Sequence, residues 1–192
     1  PPEDVAAIFV EPIQGEGGYV VPPPDYFAAL RRLCDEYGIL LVVDEIQSGM
    51  GRTGKMFAIE HWGIQPDIVA IAKGIASGFP LGAMVSRADL QDWPSGAHAN
   101  TFGGNPVACA AALKTIDLLQ GGLLANAGRI GALLMDRLRA FQSTCSAIVD
   151  VRGKGLMVGV EVEAADGGMA GAHALRDRIV QEAFERGLLL LG

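Results

Sequence analysis

The sequence predicts an α/β protein built on a mostly parallel sheet, and three observations carry that expectation. Residues 39–43 (ILLVV) and 67–72 (DIVAIA) are short apolar runs bounded by turn residues, the pattern of strands buried in a parallel sheet. A similar run at 5–10 (VAAIFV), a helical stretch at 25–37 and the run at 39–43 follow one another as strand, helix and strand, which fits a right-handed parallel crossover. The runs at 39–43 and 67–72 both end at groups able to do chemistry: Asp44, Glu45 and Gln47 after the first, Lys73 after the second. In open α/β sheets ligands sit beyond the carboxyl ends of the strands, so Asp44 and Lys73 are expected to face one pocket.

The elements follow in order. The strand at 5–10 ends at Glu11, and EPIQGEGG (11–18) is a loop by composition, with two carboxylates and three glycines. Three prolines at 22–24 precede the helix at 25–37, whose apolar positions Phe27, Leu30, Leu33 and Cys34 keep helical spacing and which Gly38 stops. Strands are expected at 39–43, 67–72 and 81–86 (LGAMVS), and 92–100 is polar and rich in turn residues. Residues 105–119 read as a helix with a small-residue face of Ala108, Ala111 and Ala112, and 123–141 as a second, longer one. Residues 147–163 alternate as strands do, 173–186 are an amphipathic helix, and 188–191 (LLLL) are strand-like.

Composition narrows the function classes. Half of the 192 residues are hydrophobic and 19% are charged, enough for a core and too apolar for disorder. A net charge of −7 argues against nucleic-acid or anionic-membrane partners, which favour basic surfaces. No apolar run reaches the ~18 residues of a membrane span, and no signal peptide is expected. The three cysteines lack metal-ligand spacing, and their odd number suits a reducing compartment, so the protein is expected to be cytoplasmic. No metal site is expected: His61, His98 and His173 have neither metal nor triad spacing.

A lysine closing an apolar strand needs a reason. The flank AIAKGIASG would partly desolvate its ammonium, and burial disfavours the charged form, which suits a Schiff-base nucleophile. An aspartate on the neighbouring strand end could keep a pyridine nitrogen protonated and the ring an electron sink. Lys73 and Asp44 together are the minimum that a pyridoxal phosphate site needs. Two local patterns compete. Gly49 to Gly54 spells GxGxxG, and Gly49 to Lys55 opens like a phosphate-binding P-loop. The P-loop would need Ser or Thr after the lysine, where Met56 stands. The dinucleotide motif would need a helix opening at its third glycine, and KMFAIEHWG carries no cap there.

The stretch from Asp44, DEIQSGMGRTGKMFAIEHWGIQPDIVAIAKGIASGFPLGA, resembles the core of the class III aminotransferases, a subgroup of the fold-type I pyridoxal 5'-phosphate enzymes that handles ornithine, acetylornithine and 4-aminobutyrate. EPIQGEGGYVVPP before it and NTFGGNPVACAAAL after it match the same family in the same order. The resemblance implies part of the large sheet domain over residues 1–122, a linking helix region at 123–149, and the start of a small C-terminal α+β domain at 150–192. It also implies an internal fragment, inactive alone, of a chain about twice as long. In the site it implies Lys73 as the covalent cofactor lysine and proton shuttle, Asp44 on the pyridine nitrogen, Ile46 on the ring face and Gln47 near the ring hydroxyl. Thr101 would reach the cofactor phosphate of a neighbouring subunit in a homodimer or dimer of dimers. Glu16 would gate the substrate, and Arg152 would be structural. The implied reaction passes an amino group from an amino acid or ω-amine to a 2-oxo acid. A racemase or epimerase on the same scaffold would need the same Lys73 and Asp44.

Overall fold

The computed structural model describes residues 1–165 and 167–192. Four strands form one sheet in the order β1 (Ala7–Val10), β2 (Leu40–Asp44), β3 (Ile68–Ile71) and β4 (Ala83–Ser86). The pairs β1–β2 and β2–β3 are parallel and β3–β4 is antiparallel, so the sheet is mixed with mostly parallel neighbours. Helix α1 (Tyr26–Tyr37) makes the expected crossover and stops at Gly38, whose φ of 67° is left-handed, a conformation open to glycine without steric cost.

Apolar spacing puts one face of α1 on the sheet. Phe27 and Cys34 from the helix pack with Ile39, Leu41, Val43 and Ile59, all buried, and Trp62 meets Phe27 edge-on at 5.0 Å between ring centroids. Each such aliphatic or aromatic side chain stabilises the fold by about 1.5–3 kcal/mol when fully buried. A second cluster joins Ile71, Ile75, Ala76 and Ala112, seating α2 (Pro106–Leu118) over the turn that follows β3. Small alanines allow that close approach. Asn105 caps α2, its side-chain oxygen accepting from the amides of Val107 and Ala108, and Pro106 fills the first helical position.

Helix α3 (Leu124–Gln142) follows α2 through one wide turn, with Gly122 at φ 138° breaking the helical path. Taken together, residues 106–142 are long and apolar enough, by length and composition, to cross a membrane, which the sequence alone did not suggest. The break decides against that use: α2 has 13 residues, short of the ~20 that a spanning helix needs. The 19 residues of α3 carry Arg129, Asp136, Arg137 and Arg139. The chain closes with an antiparallel pair, β5 (Ile148–Lys154) and β6 (Met157–Val162), and with α4 (Met169–Glu185). Residues 188–191, expected as a strand, form none: the leucines are largely exposed, and among the described residues no strand pairs with them.

The sheet is fastened at the ends opposite its chemistry by Asp67, which is 5% exposed. Its Oδ2 accepts from the amide of Leu41 (2.7 Å) and from Arg31 of α1 (2.8 Å), and its Oδ1 from Arg87 just after β4 (2.6 Å). Burial alone would push the carboxyl's pKa up, but the Leu41 amide and the two guanidinium groups outweigh it and hold the pKa below the usual carboxylate value. A carboxyl with a depressed folded-state pKa contributes stability above its unfolded value of about 4 and loses it as pH falls through the folded value. Replacing Asp67 by Ala is expected to cost about 3–5 kcal/mol, because it leaves two cations and an amide without a buried acceptor. Urea unfolding at pH 7 and at pH 3 checks this, and the gap between variant and parent should narrow at the lower pH.

Candidate active site

The parallel pairing of β2 with β3 places Asp44 opposite Ala70, so Asp44 and Lys73, three residues further along, leave the sheet at the same edge. β1 is parallel to both and delivers Glu11 to that edge as well. Asp44 Oδ1 accepts from the amide of Ile46 at 2.9 Å, which turns the chain directly after the strand. Among the described residues the other carboxylate oxygen has no partner and is free to accept from a ligand. Ile46 is half-buried beside it.

Gln47 reaches the loop that follows β1. Its Nε2 donates to Glu16 Oε1 at 3.2 Å, while its Oε1 is buried without a partner among the described residues. Gly15 makes the approach possible: a Cβ there would lie 2.6 Å from Gln47 Oε1. The loop is held from below, since Glu11 accepts from the amide of Gly15 and Gln14 bridges to Val20. Arg152 of β5 holds its far side, donating from Nε to the Gly18 carbonyl at 2.8 Å while pairing with Asp150 and Glu161 at 2.8 and 2.5 Å. Those bonds tie β5 to the loop at 15–18.

Lys73 opens the turn after β3 with a left-handed backbone, φ 46°, unusual for a residue with a side chain. Its neighbours Ile75 and Ala76 are buried, but Lys73 itself is exposed, so the desolvation expected from its apolar flank is not provided by these residues. The apolar flank packs inward and leaves the lysine at the rim. Thr101 is exposed and shares no hydrogen bond with Asp44, Gln47 or Lys73 among the described residues. It lies next to Asn100 and Phe102, which with Trp93 and His98 line a hollow of about 930 Å³ along β4. A second hollow, about 570 Å³, lies against the open edge of β1 between Phe9, Glu11 and Tyr26. Neither contains Asp44 or Lys73.

Glu45, named with Asp44 and Gln47 at the end of the strand but given no role by the sequence, is fully buried and accepts from Ser48 Oγ at 2.6 Å and from the Ile59 amide at 2.8 Å. Burial pushes its pKa up, against the opposing effect of those donors. The available signal was the spacing of Ser48 three residues after it. The GxGxxG stretch at 49–54 forms turns with no helix opening at its third glycine; its first glycine is required because a Cβ on Gly49 would come within 2.6 Å of the Glu45 carbonyl. Among the described residues no cluster of His, Cys, Asp and Glu could hold a metal.

The family model described as aminotransferase class-III matches residues 1–192. A leucine/methionine racemase from Thermococcus litoralis is 47% identical over 190 residues, which are 98% of this chain and 43% of the relative. An acetylornithine aminotransferase from Caldanaerobacter subterraneus is 42% identical over 98% of this chain and 46% of its own length. Among solved structures, an amine transaminase from an uncultivated Pseudomonas species, in its PLP-bound form, superposes with a TM-score of 0.89 at 37% identity, covering 96% of this chain and 45% of that one. The chain thus spans less than half the length of these relatives.

Two glycine substitutions separate fold from site. In Gly15→Ala the new methyl meets only the end of the flexible Gln47 side chain, so stability should stay within about 1 kcal/mol of the parent while the Gln47–Glu16 bond is lost. In Gly49→Ala it meets backbone, and a loss of about 1–3 kcal/mol is expected. Thermal unfolding of the two variants gives the comparison.

Proposed function

The chain belongs to the class III aminotransferases, with their fold-type I architecture, and we propose that the protein carrying it transfers an amino group from an amino acid or ω-amine to a 2-oxo acid with pyridoxal 5'-phosphate. The observation that carries this reading is the delivery of Asp44 and Lys73 to one sheet edge by parallel strands. The residues present fit the cofactor. Gln47 Oε1 is a buried acceptor without a partner, as a ring hydroxyl requires, and the free Asp44 oxygen suits a ring N–H. When bound, pyridoxal phosphate supplies an electron sink for the pair left behind when a bond to the substrate's α-carbon breaks.

The chain supplies the rest. With the cofactor bound, Asp44 would hold the ring-nitrogen proton by charge and Ile46 would cover the ring face. Lys73 Nζ would be the amine that holds the cofactor's aldehyde carbon and, when free, the base that moves a proton at the substrate's α-carbon. Its exposed position leaves it within reach of an incoming amine. Glu16, which accepts from Gln47, would gate the substrate by covering and releasing an arginine that binds the substrate's α-carboxylate. Thr101, which is exposed and shares no hydrogen bond with Asp44 among the described residues, is in our reading offered to the cofactor phosphate of a second copy in a homodimer.

A second reading, racemisation, is favoured by the 47% identity to a relative named leucine/methionine racemase. It would use the same Lys73 and Asp44. The two differ in product: a 2-oxo acid accumulates only in transamination, while loss of optical activity without an acceptor marks racemisation. Incubating the whole protein with single L-amino acids, with and without 2-oxoglutarate, separates them.

Borohydride reduction followed by peptide mapping is expected to place the pyridoxyl group on Lys73, and a label on Lys55 or Lys154 would refute the assignment. Asp44→Asn keeps the shape and removes the charge. Breaking such a buried charged contact costs about 3–5 kcal/mol, a loss of roughly two to four powers of ten in kcat if it falls on the transition state. Activity within about threefold of the parent, under 1 kcal/mol by the same arithmetic, would show that another group holds the ring proton.

A further inference from the structure

We propose that Glu45 is a positioning residue for the cofactor site, its buried carboxylate tying the turn that presents Asp44 and Gln47 to the segment at residues 58–59. The inference rests on the pyridoxal phosphate reading above. Glu45 is 0% exposed, and each of its polar groups is used. Its amide donates to the Ala70 carbonyl of β3 at 2.9 Å and its carbonyl accepts from Gly49 at 3.0 Å. Its Oε2 accepts from Ser48 and its Oε1 from Ile59. One residue thereby joins β3, the turn at 48–49 and a segment fourteen residues away.

Charge pairing does not account for a carboxyl here. Asp67, the other buried acid among the described residues, has two arginines, whereas no cation pairs with Glu45. Its oxygens are used by the Ser48 hydroxyl and the Ile59 amide, which an apolar side chain of the same volume would leave without their acceptor. What an apolar residue could not do is fix the turn. Glu45 directly follows the last residue of β2 and still donates its amide to β3; it is buried where Asp44 is half-buried, in keeping with the alternation of side chains along extended backbone. Holding Glu45 on the inner face fixes the direction in which Asp44 points outward, and the bond to Ser48 closes the turn in which Gln47 is set beneath Gly15.

The test uses the whole protein, freed of cofactor, with Glu45→Met, Glu45→Gln and Ser48→Ala. Three quantities are read: the apoprotein's melting temperature, the dissociation constant for pyridoxal phosphate by absorbance titration, and the pH midpoint of the bound cofactor's visible band. Glu45→Met fills the volume without the tie. It should keep a cooperative melt, bind pyridoxal phosphate about 10- to 100-fold more weakly, and shift the midpoint, because small displacements of positioned groups carry losses of that size. Glu45→Gln can accept from Ile59 and donate to Ser48, so its affinity and midpoint should return to within about threefold of the parent. Ser48→Ala removes one arm and should fall between. A folded Glu45→Met protein with parental affinity and midpoint overturns the proposal, as does a Glu45→Gln protein as impaired as Glu45→Met. If Glu45→Met does not fold, unaltered binding by Ser48→Ala overturns it. A parent protein that binds no pyridoxal phosphate overturns the functional reading and this inference together, whereas a binding parent with unaffected variants overturns this inference alone.

Discussion

The register between β2 and β3 is the constraint on which the site depends, and it is set at the end of the sheet away from the chemistry. Asp67 sits at the foot of β3 and accepts from the Leu41 amide of β2, from Arg31 of α1 and from Arg87 beyond β4. One carboxylate therefore fixes the positions of four successive elements relative to one another. A slip of a single residue would send every side chain of a strand to the opposite face. Asp44 would then turn into the core and Glu45 out of it, and the acid and the lysine would no longer share an edge. The arginines make the arrangement tolerable, because a carboxylate this deeply buried is costly unless charged donors and amides surround it.

A second set of contacts ties the β5–β6 pair to the loops that carry the site. The turn at Gly155 packs against the backbone of Thr53 and against Gly131 of α3, positions where an added Cβ would collide with main chain. The Leu156 amide donates to the Arg52 carbonyl at 2.9 Å, and Lys154 stands 5.5 Å above the Trp62 ring. Arg152 reaches the loop at 15–18 from the other side. In the decoy motif at 49–54, Gly49 and Gly54 likewise serve close approach to main chain, at the Glu45 carbonyl and at Gly128, while Gly51 makes room for the side chains of Leu119 and Leu124. That is the property that makes glycine useful near phosphates, here applied to packing.

Much of the fold was legible because apolar spacing is dictated by burial. Among the described residues, the six strands and four α-helices fall on stretches whose periodicity announces them, with ends displaced by up to four residues; α4 begins at Met169 rather than at 173. Residues 188–191 show the limit of that reasoning, since four leucines make an apolar run but a strand also needs a partner. The direction of β4, antiparallel to β3, was likewise not written in its own residues. In the site, the edge shared by Asp44 and Lys73 was readable from strand order, and the Gln47–Glu16 contact was not, because it joins residues 31 apart through a glycine whose lack of a side chain leaves no trace in a pattern. The exposure of Lys73 was misjudged for a related reason: flanking apolar residues say what is buried nearby, not which way the residue between them is turned.

That turn is itself informative. Lys73, Ser77 and Met50 are left-handed non-glycine residues clustered in the loops after β2 and β3, with φ values of 46°, 48° and 53°. Such backbones cost of order 1–3 kcal/mol each and persist only where the surroundings over-determine them. Here the surroundings are visible. Ile75 and Ala76 are locked into the cluster beneath α2, and Met50 packs on the same cluster. A Cβ on Gly74 would stand 3.3 Å from that of Met50, so the glycine lets the two loops close on each other. Lys73 is therefore placed by what its neighbours bury: the backbone fixes where its side chain starts, and among the described residues no side-chain hydrogen bond or ion pair engages its Nζ.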